Sequence, residues 1–316
     1  MKLSEKVKLG LDETRMLILG AQILLGFTLR GAFEDGFETL PLHSRYLEAL
    51  ALGCMVCAVA LLIAPGPYHR IVEEGEDSGP FHYFVTFVAD LALLPLALSL
   101  GLDIAVVAER IFGRLGGMLA GGTAALLALA FWYAMPRLRT RSYGAREREQ
   151  TMRHRQQREH TPINQKIDQM LTEARVILPG AQAMLGFQLA IVLTRAFEQL
   201  APALRFVHAA SLGLVALAVI LLMAPAAYHR IVFAGEDSPD MHRVGSMLVT
   251  AATLPLALGI AGDLYVVITK IAGPEIGLTG GVLAIVLLLG LWYAFPLAAR
   301  WSGVGSKGQY QGSPAE

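Results

Sequence analysis

The chain of 316 residues is 54% hydrophobic and only 16% charged, with a mean hydropathy of +0.51, where an ordinary soluble domain carries about 25% charged residues. These proportions exclude a soluble two-domain protein and predict an integral membrane protein. Lysine plus arginine and aspartate plus glutamate are equal at 26 each, so no basic excess points to nucleic acid, and two cysteines exclude a disulfide framework.

Residues 1–15 are charged throughout and hold no apolar core of a cleavable leader. Four apolar stretches follow, at 16–33, 46–64, 84–107 and 116–135, each long enough to cross a bilayer, which takes about 17–25 residues. After a linker at 137–170 come four more, at 176–193, 206–224, 244–267 and 277–295. The second set copies the first at an offset of 160 positions, from Gly20-Ala21-Gln22 to Gly180-Ala181-Gln182 and from Tyr68-His69-Arg70-Ile71 to Tyr228-His229-Arg230-Ile231. Gly75-Glu76-Asp77-Ser78 recurs as Gly235-Glu236-Asp237-Ser238, His82 as His242, Asp103 as Asp263 and Trp132-Tyr133-Ala134 as Trp292-Tyr293-Ala294. The expected fold is therefore an all-α polytopic membrane protein of two tandem, parallel four-helix repeats. It comprises a cytoplasmic N-terminus (1–15), repeat 1 (16–136), a basic cytoplasmic linker (137–170), repeat 2 (171–297) and a Gly/Ser-rich disordered tail (298–316). An even number of spans per repeat inserts both the same way up, which predicts a pseudo-two-fold axis along the membrane normal.

Lysine and arginine set the orientation. Only Arg30, Arg45, Arg110, Arg114, Arg195, Arg205 and Lys270 fall on one side of the eight spans, and the other 19 of the 26 basic residues fall on the side of the linker and both termini. That side is expected to face the cytoplasm, in a bacterial inner membrane. The linker from 146 to 159 alternates basic, acidic and Gln residues with almost no apolar face, as a solvated connector touching anionic headgroups does.

Several motifs carry a functional and a structural reading. Gln22 and Gln182 sit in the first span of each repeat, where an amide needs a hydrogen-bond partner or lines a solute path. Pro95 and Pro255, inside Leu-Pro-Leu-Ala-Leu, bend the third spans, and Asp90 lies about one third deep, with Thr250 as its counterpart. Together Gln22, Gln182, Asp90, Pro95 and Pro255 are the candidate pathway. Asp103 and Asp263 fall near the outer interface by helix rise, suited to capping.

His69, Arg70, Glu76, Asp77 and His82, repeated as His229, Arg230, Glu236, Asp237 and His242, form a candidate cytoplasmic loop cluster. Their spacing is not a recognised metal-ligand spacing, and helix capping at Ser78 and Ser238-Pro239-Asp240 explains part of it, so no metal or cofactor is assigned. Gly113, Gly117 and Gly121, echoed by Gly273, Gly277 and Gly281, share one helix face as a packing seam. Cys54 and Cys57 read as small buried side chains, and the Trp-Tyr pairs as an interfacial aromatic belt.

The order Glu13/Arg15, Gly20-Ala21-Gln22, Gly26-Phe27, Arg45, Ala64-Pro65, Tyr68-His69-Arg70-Ile71 resembles a bacterial domain family of unknown function, whose members are small four-helix membrane proteins. The second half, from Glu173/Arg175 to His229-Arg230, matches as well, with His208 where the first half has Glu48. The resemblance covers most of residues 11–137 and 171–297 and implies two fused family domains. Some members carry the label sodium:proton antiporter, and no active-site residues come with it.

Two function classes remain. One is a transporter or channel for small cations, protons or another small solute. The other is a membrane scaffold or sensor that presents the His-Arg/acidic loops and the linker to a cytoplasmic partner. No nucleophile–base set or nucleotide loop points to an enzyme, the bilayer is the one partner composition implies, and the oligomeric state is open.

Overall fold

The structure, a computed structural model, describes residues 3–138, 158–159 and 161–302. Most of the basic linker and all but the start of the expected tail lie outside the described residues.

The first half comprises α1 (Leu3–Gly31), α2 (Leu42–Ile63), α3 (Pro65–Ile71) and α4 (Gly79–Leu129). A two-residue strand, β1 (Asp77–Ser78), pairs antiparallel with β2 (Arg158–Glu159). The second half comprises α5 (Ile163–Ile191), α6 (Arg195–Glu198), α7 (Pro202–Ile231), α8 (Pro239–Ala272), α9 (Pro274–Leu289) and α10 (Phe295–Trp301). Single π-turns at Ala130–Ala134 and Gly290–Ala294 carry the two Trp-Tyr pairs. Among the described residues, six helices are long and apolar enough to cross a membrane: Leu42–Ile71, Gly79–Leu138, Ile163–Ile191, Pro202–Ile231, Pro239–Ala272 and Pro274–Trp301. α1, with 29 residues, is not among them, although its repeat counterpart α5 is.

Local devices recur at the offset of 160. Arg45 folds back onto the carbonyls of Leu40, at 3.1 Å, and Glu38, closing the loop before α2. Arg205 does the same to Leu200 and Glu198, at 2.8 and 2.6 Å. The Oγ of Ser78 accepts the Phe81 N–H at 3.1 Å and that of Ser238 the Met241 N–H at 3.2 Å, each capping the helix that follows.

α4 is two rods. Gly113 adopts φ 77° and ψ 178°, a conformation that residues with a Cβ avoid, and the chain doubles back there. Gly273, at φ 90° and ψ 168°, makes the equivalent corner between α8 and α9. These two glycines therefore turn the chain, and only the remaining four of the expected seam are packing glycines. A Cβ on Gly121 would stand 2.5 Å from the Gly101 carbonyl, and one on Gly117 would stand 2.8 Å from that of Ala105. The partner helix is thus the preceding rod of the same half. In the second half Gly277 meets Thr269, and Gly281 meets Tyr265 at 2.9 Å.

The halves share one core, in which Leu25, Leu52, Met55, Val59 and Ile63 of the first meet Ile177, Met184, Leu256 and Trp292 of the second. Its polar contacts run one way. The Trp292 indole donates to the Ala60 carbonyl at 2.9 Å, Arg70 donates to Thr250 Oγ1 at 2.8 Å and pairs with Glu173, and Lys270 reaches Glu38 at 3.3 Å. A two-fold axis repeats each contact with the halves exchanged. Here the counterparts Ile220, Arg230, Asp90, Glu198 and Arg110 are all exposed, and nothing lies within 4 Å of a Cβ built on Gly20, although one on Gly180 would strike Gln22. Apart from Phe27–Phe187 and Lys8–Asp168, which join equivalent positions, these contacts are not repeated with the halves exchanged.

The seam glycines give a direct stability test. Gly121→Leu forces side-chain atoms into the Gly101–Ala105 backbone and is expected to cost about 1–3 kcal/mol. Gly122→Leu, one residue on with nothing within 4 Å of its Cβ, is expected to leave the thermal unfolding midpoint in detergent within a degree or two of the parent.

Candidate functional site

Polar groups gather at three levels. At the end of the bundle that carries β1 and β2, His69 on α3 is buried and stacks on Phe81, with ring centroids 4.5 Å apart. Its Nε2 lies 3.9 Å from Asp77, which is itself fully buried. The cover comes from the second half. Thr161 Oγ1 accepts the Asp77 N–H at 3.0 Å, Gln165 and Gln169 donate to the Asp77 carboxylate at 3.2 and 3.4 Å, and Lys166 pairs with Glu76 at 2.5 Å. His242 is brought to the same loop, its Nε2 3.2 Å from where a Cβ on Gly75 would stand, and His82 packs against α1 at Gly10. A cavity of about 30 Å³, room for one water, lies beside His69 between Thr14, Arg15, Gln169 and Glu173.

The second copy of this loop is open: His229 and Asp237 approach to 3.4 Å at the surface, and Arg230 and Glu236 are exposed. Among the described residues no three His, Cys, Asp or Glu side chains are grouped to hold a metal.

Midway along the helices the two glutamines part company. Gln22 is fully buried against Gly180, and neither its amide nitrogen nor its oxygen has a hydrogen-bond partner among the described residues. Gln182 is exposed, so the structure does not bring the pair together. Asp90 is exposed in a groove of about 480 Å³ lined by Phe87, Leu91, Leu94, Leu129, Tyr133 and Arg137. Pro95 and Pro255 lie in their helices one turn beyond carbonyls that tyrosines reach. The Tyr133 hydroxyl donates to the Asp90 carbonyl, and that of Tyr293 donates to the Thr250 carbonyl at 2.5 Å. Sequence reasoning placed these tyrosines in an aromatic belt and missed that they bond to the proline-containing helices.

At the opposite end each half holds ionisable side chains, half-buried in the first and fully buried in the second. Asp263, His208 and Gln188 are all 1% exposed. The Gln188 amide donates to Asp263 Oδ2 at 2.5 Å, His208 Nδ1 lies 3.2 Å from Asp263 Oδ1, and His208 Nε2 lies 3.1 Å from the Gln188 carbonyl. The Gln188 carbonyl can only accept, so Nε2 carries a ring proton, and Nδ1 faces an Asp263 oxygen that accepts when ionised and donates when protonated. In the first half the same positions hold Thr28, Glu48 and Asp103, and Asp103 is an electrostatic neighbour of Glu48. Depth arithmetic placed Asp103 and Asp263 at this level, but the partners went unseen. Counting inward from the end of α5 and the start of α7 puts Gln188 and His208 at the same height, which is the signal that finds them.

The triad predicts a non-additive mutant cycle. Asp263→Leu or His208→Leu alone strands a buried partner and is expected to cost about 3–5 kcal/mol, whereas the double replacement is expected to regain most of that. Thermal unfolding of the three variants in detergent reads the cycle.

The family of unknown function DUF6328 matches twice, over residues 5–136 and 156–296. No curated protein and no solved structure matches. The two matches meet the two structural halves, each with its Arg-closed loop, capped third helix and glycine corner, and the chain belongs to the DUF6328 family, carrying its domain twice in tandem.

Proposed function

We propose that the protein is an eight-span membrane protein that moves protons or small cations, using the ionisable pairs gathered at the end of the bundle opposite the His69 loop. The span count follows from helix length. Gly79–Leu138 has 60 residues, which at 1.5 Å per residue is about 90 Å, three bilayer cores, and the corner at Gly113 divides it into two spans. α1 runs alongside α5 and takes the same place in its repeat, completing eight. The loop cluster, the linker and both termini then share the basic side, which the charge bias assigns to the cytoplasm of a bacterial cell. The units follow as 1–15, 16–136, 137–170, 171–297 and 298–316.

One observation carries the transport reading. Equivalent positions of both halves hold ionisable side chains inside apolar helices, Glu48 with Asp103 and His208 with Asp263. Such residues in a membrane are costly and mark ion or proton sites. His208 Nδ1 and Asp263 Oδ1, 3.2 Å apart, can share one proton, and a proton or cation arriving at Asp263 competes for that contact.

The scaffold reading is favoured by a different observation. Gln22 is packed tight, the cavity beside His69 holds about 30 Å³, and the second-half loop leaves Arg230, Glu236 and Asp237 exposed, with His229 half-buried beside them, for a cytoplasmic partner.

Proteoliposomes with an internal pH dye and pulses of Na⁺, K⁺ or Li⁺ separate the two. The transport reading predicts cation-dependent proton movement, abolished by Asp263→Asn and Asp103→Asn in folded protein. Flux lost instead in Gln22→Leu/Gln182→Leu, with the aspartate variants active, moves the path to the glutamines. No flux above empty liposomes leaves the scaffold.

A further inference from the structure

Apart from α1 and α5, where Lys8 meets Asp168 and Phe27 meets Phe187 at equivalent positions, the contacts between halves are those of a heterologous interface, in which one face of a repeat meets a different face of the next. Such an interface, unlike a two-fold one, leaves both complementary faces unfilled at the ends of the array and continues into rings or open chains. In this chain the unfilled faces are identifiable residue by residue at the offset of 160. The face of α2 and α3 that docks on the second half has its counterpart on α7. The apolar stretch of Leu42–Ile71 is mostly buried and that of Pro202–Ile231 mostly is not. Ala60 and Ile63 are buried, whereas Ile220 and Met223 are 64% and 51% exposed. Thr250 and Tyr293, on the second half where Arg70 docks, have their counterparts in the open groove of Asp90 and Tyr133.

The charges on these two faces match. Arg70 meets Thr250 and Glu173 within the chain; the corresponding residues on the open faces are Arg230 on one side and Asp90 and Glu13 on the other, all exposed. Lys270 meets Glu38; the open counterparts are Arg110 and Glu198, also exposed. Both polar anchors thus recur with opposite charges, at the two ends of the bundle, and Asp90 in place of Thr250 turns a neutral acceptor into an ionic one. Gln182, Gly186 and Gly20 are exposed as well, and they are the counterparts of Gln22, Gly26 and Gly180; Phe27, the counterpart of Phe187, already packs on Phe187 with ring centroids 4.4 Å apart. One position differs. Glu173 lies against Gly66, where Glu13 would meet the methyl of Ala226, a clash its flexible carboxylate relieves by changing rotamer.

We infer that a second copy of this chain docks head to tail in the membrane, its α7 face seated in the Asp90–Tyr133 groove through Arg230–Asp90/Glu13 and Arg110–Glu198 contacts. Parallel insertion of the halves puts every copy the same way up, so the contact forms without reorientation. The smallest closed ring is two chains, four repeats around one axis. The inference stands on the packing of the halves and holds whether or not anything is transported.

Disulfide trapping in native membranes tests it, in a background of Cys54→Ala and Cys57→Ala. A Cβ on Gly180 would stand 2.7 Å from that of Gln22, and relaxing to the usual disulfide Cβ separation of about 3.5–4.5 Å takes a small shift. Gln22→Cys/Gly180→Cys is therefore the control, closing within one chain. Differently tagged chains carrying Gly20→Cys and Gln182→Cys are expected to form a mixed covalent dimer, and neither alone a homodimer. Chains with both cysteines form dimers when the ring closes at two and a ladder when it does not; either supports head-to-tail docking. Arg230→Asp is expected to lower the trapped yield about tenfold or more, as loss of one member of a buried charge pair does, with recovery when Asp90→Arg is added. Homodimers from Gly20→Cys alone, or no trapping while the control closes, overturn the inference and leave lipid as the occupant of both faces.

Discussion

Arg70 is the side chain on which the arrangement of the two halves turns. It stands near the end of α3, pairs with Glu173 on α5 and donates to Thr250 on α8, so one guanidinium joins three helices from both halves. Its position fixes what surrounds it. The His69–Asp77 loop is drawn under the start of α5, the face of α2 is sealed against α8, and Trp292 is brought to the Ala60 carbonyl. Buried charge pairs of this kind set geometry more than they add net stability, because desolvation offsets much of the attraction. Here the consequence is an interface with a direction.

That direction explains why duplicated residues lead different lives. Trp292 is fully buried and Trp132 half-buried; Gln22 is sealed and Gln182 exposed; the first His-Arg loop is covered and the second is open. A fused pair of identical domains in a two-fold arrangement places each such pair in matching surroundings. In a face-to-back arrangement the copies occupy an inner and an outer position, and their sequences are free to diverge accordingly. The ionisable groups at the far end show it. Glu48 with Asp103 and His208 with Asp263 occupy the same positions with different chemistry, and only the second set closes into a fully buried hydrogen-bonded triad.

Much of the fold was legible because apolar length and repeat offset are local properties. The offset of 160, the helix-capping serines and the proline positions could be read directly from the chain, and the glycine runs marked a close helix contact. The corner role of Gly113 and Gly273 was hidden because a glycine at the end of a seam and a glycine at positive φ look alike in sequence. The faces joining the halves were hidden for a deeper reason: both repeats carry nearly the same residues on those faces, so pattern cannot say which copy is covered. Only the substitutions break the tie, Thr250 for Asp90 and Ala60 for Ile220, and each acquires meaning once Arg70 is seen in place. The outer triad was hidden because its members come from three helices far apart in the chain.

Interspin distances within a single chain in a lipid nanodisc test the face-to-back packing most directly. One label pair replaces Glu38 and Lys270, which meet at 3.3 Å, and the other replaces their repeat counterparts Glu198 and Arg110. A short distance for the first pair and a long one for the second is predicted. Equal short distances for both would restore a two-fold relation between the halves and contradict the directional interface.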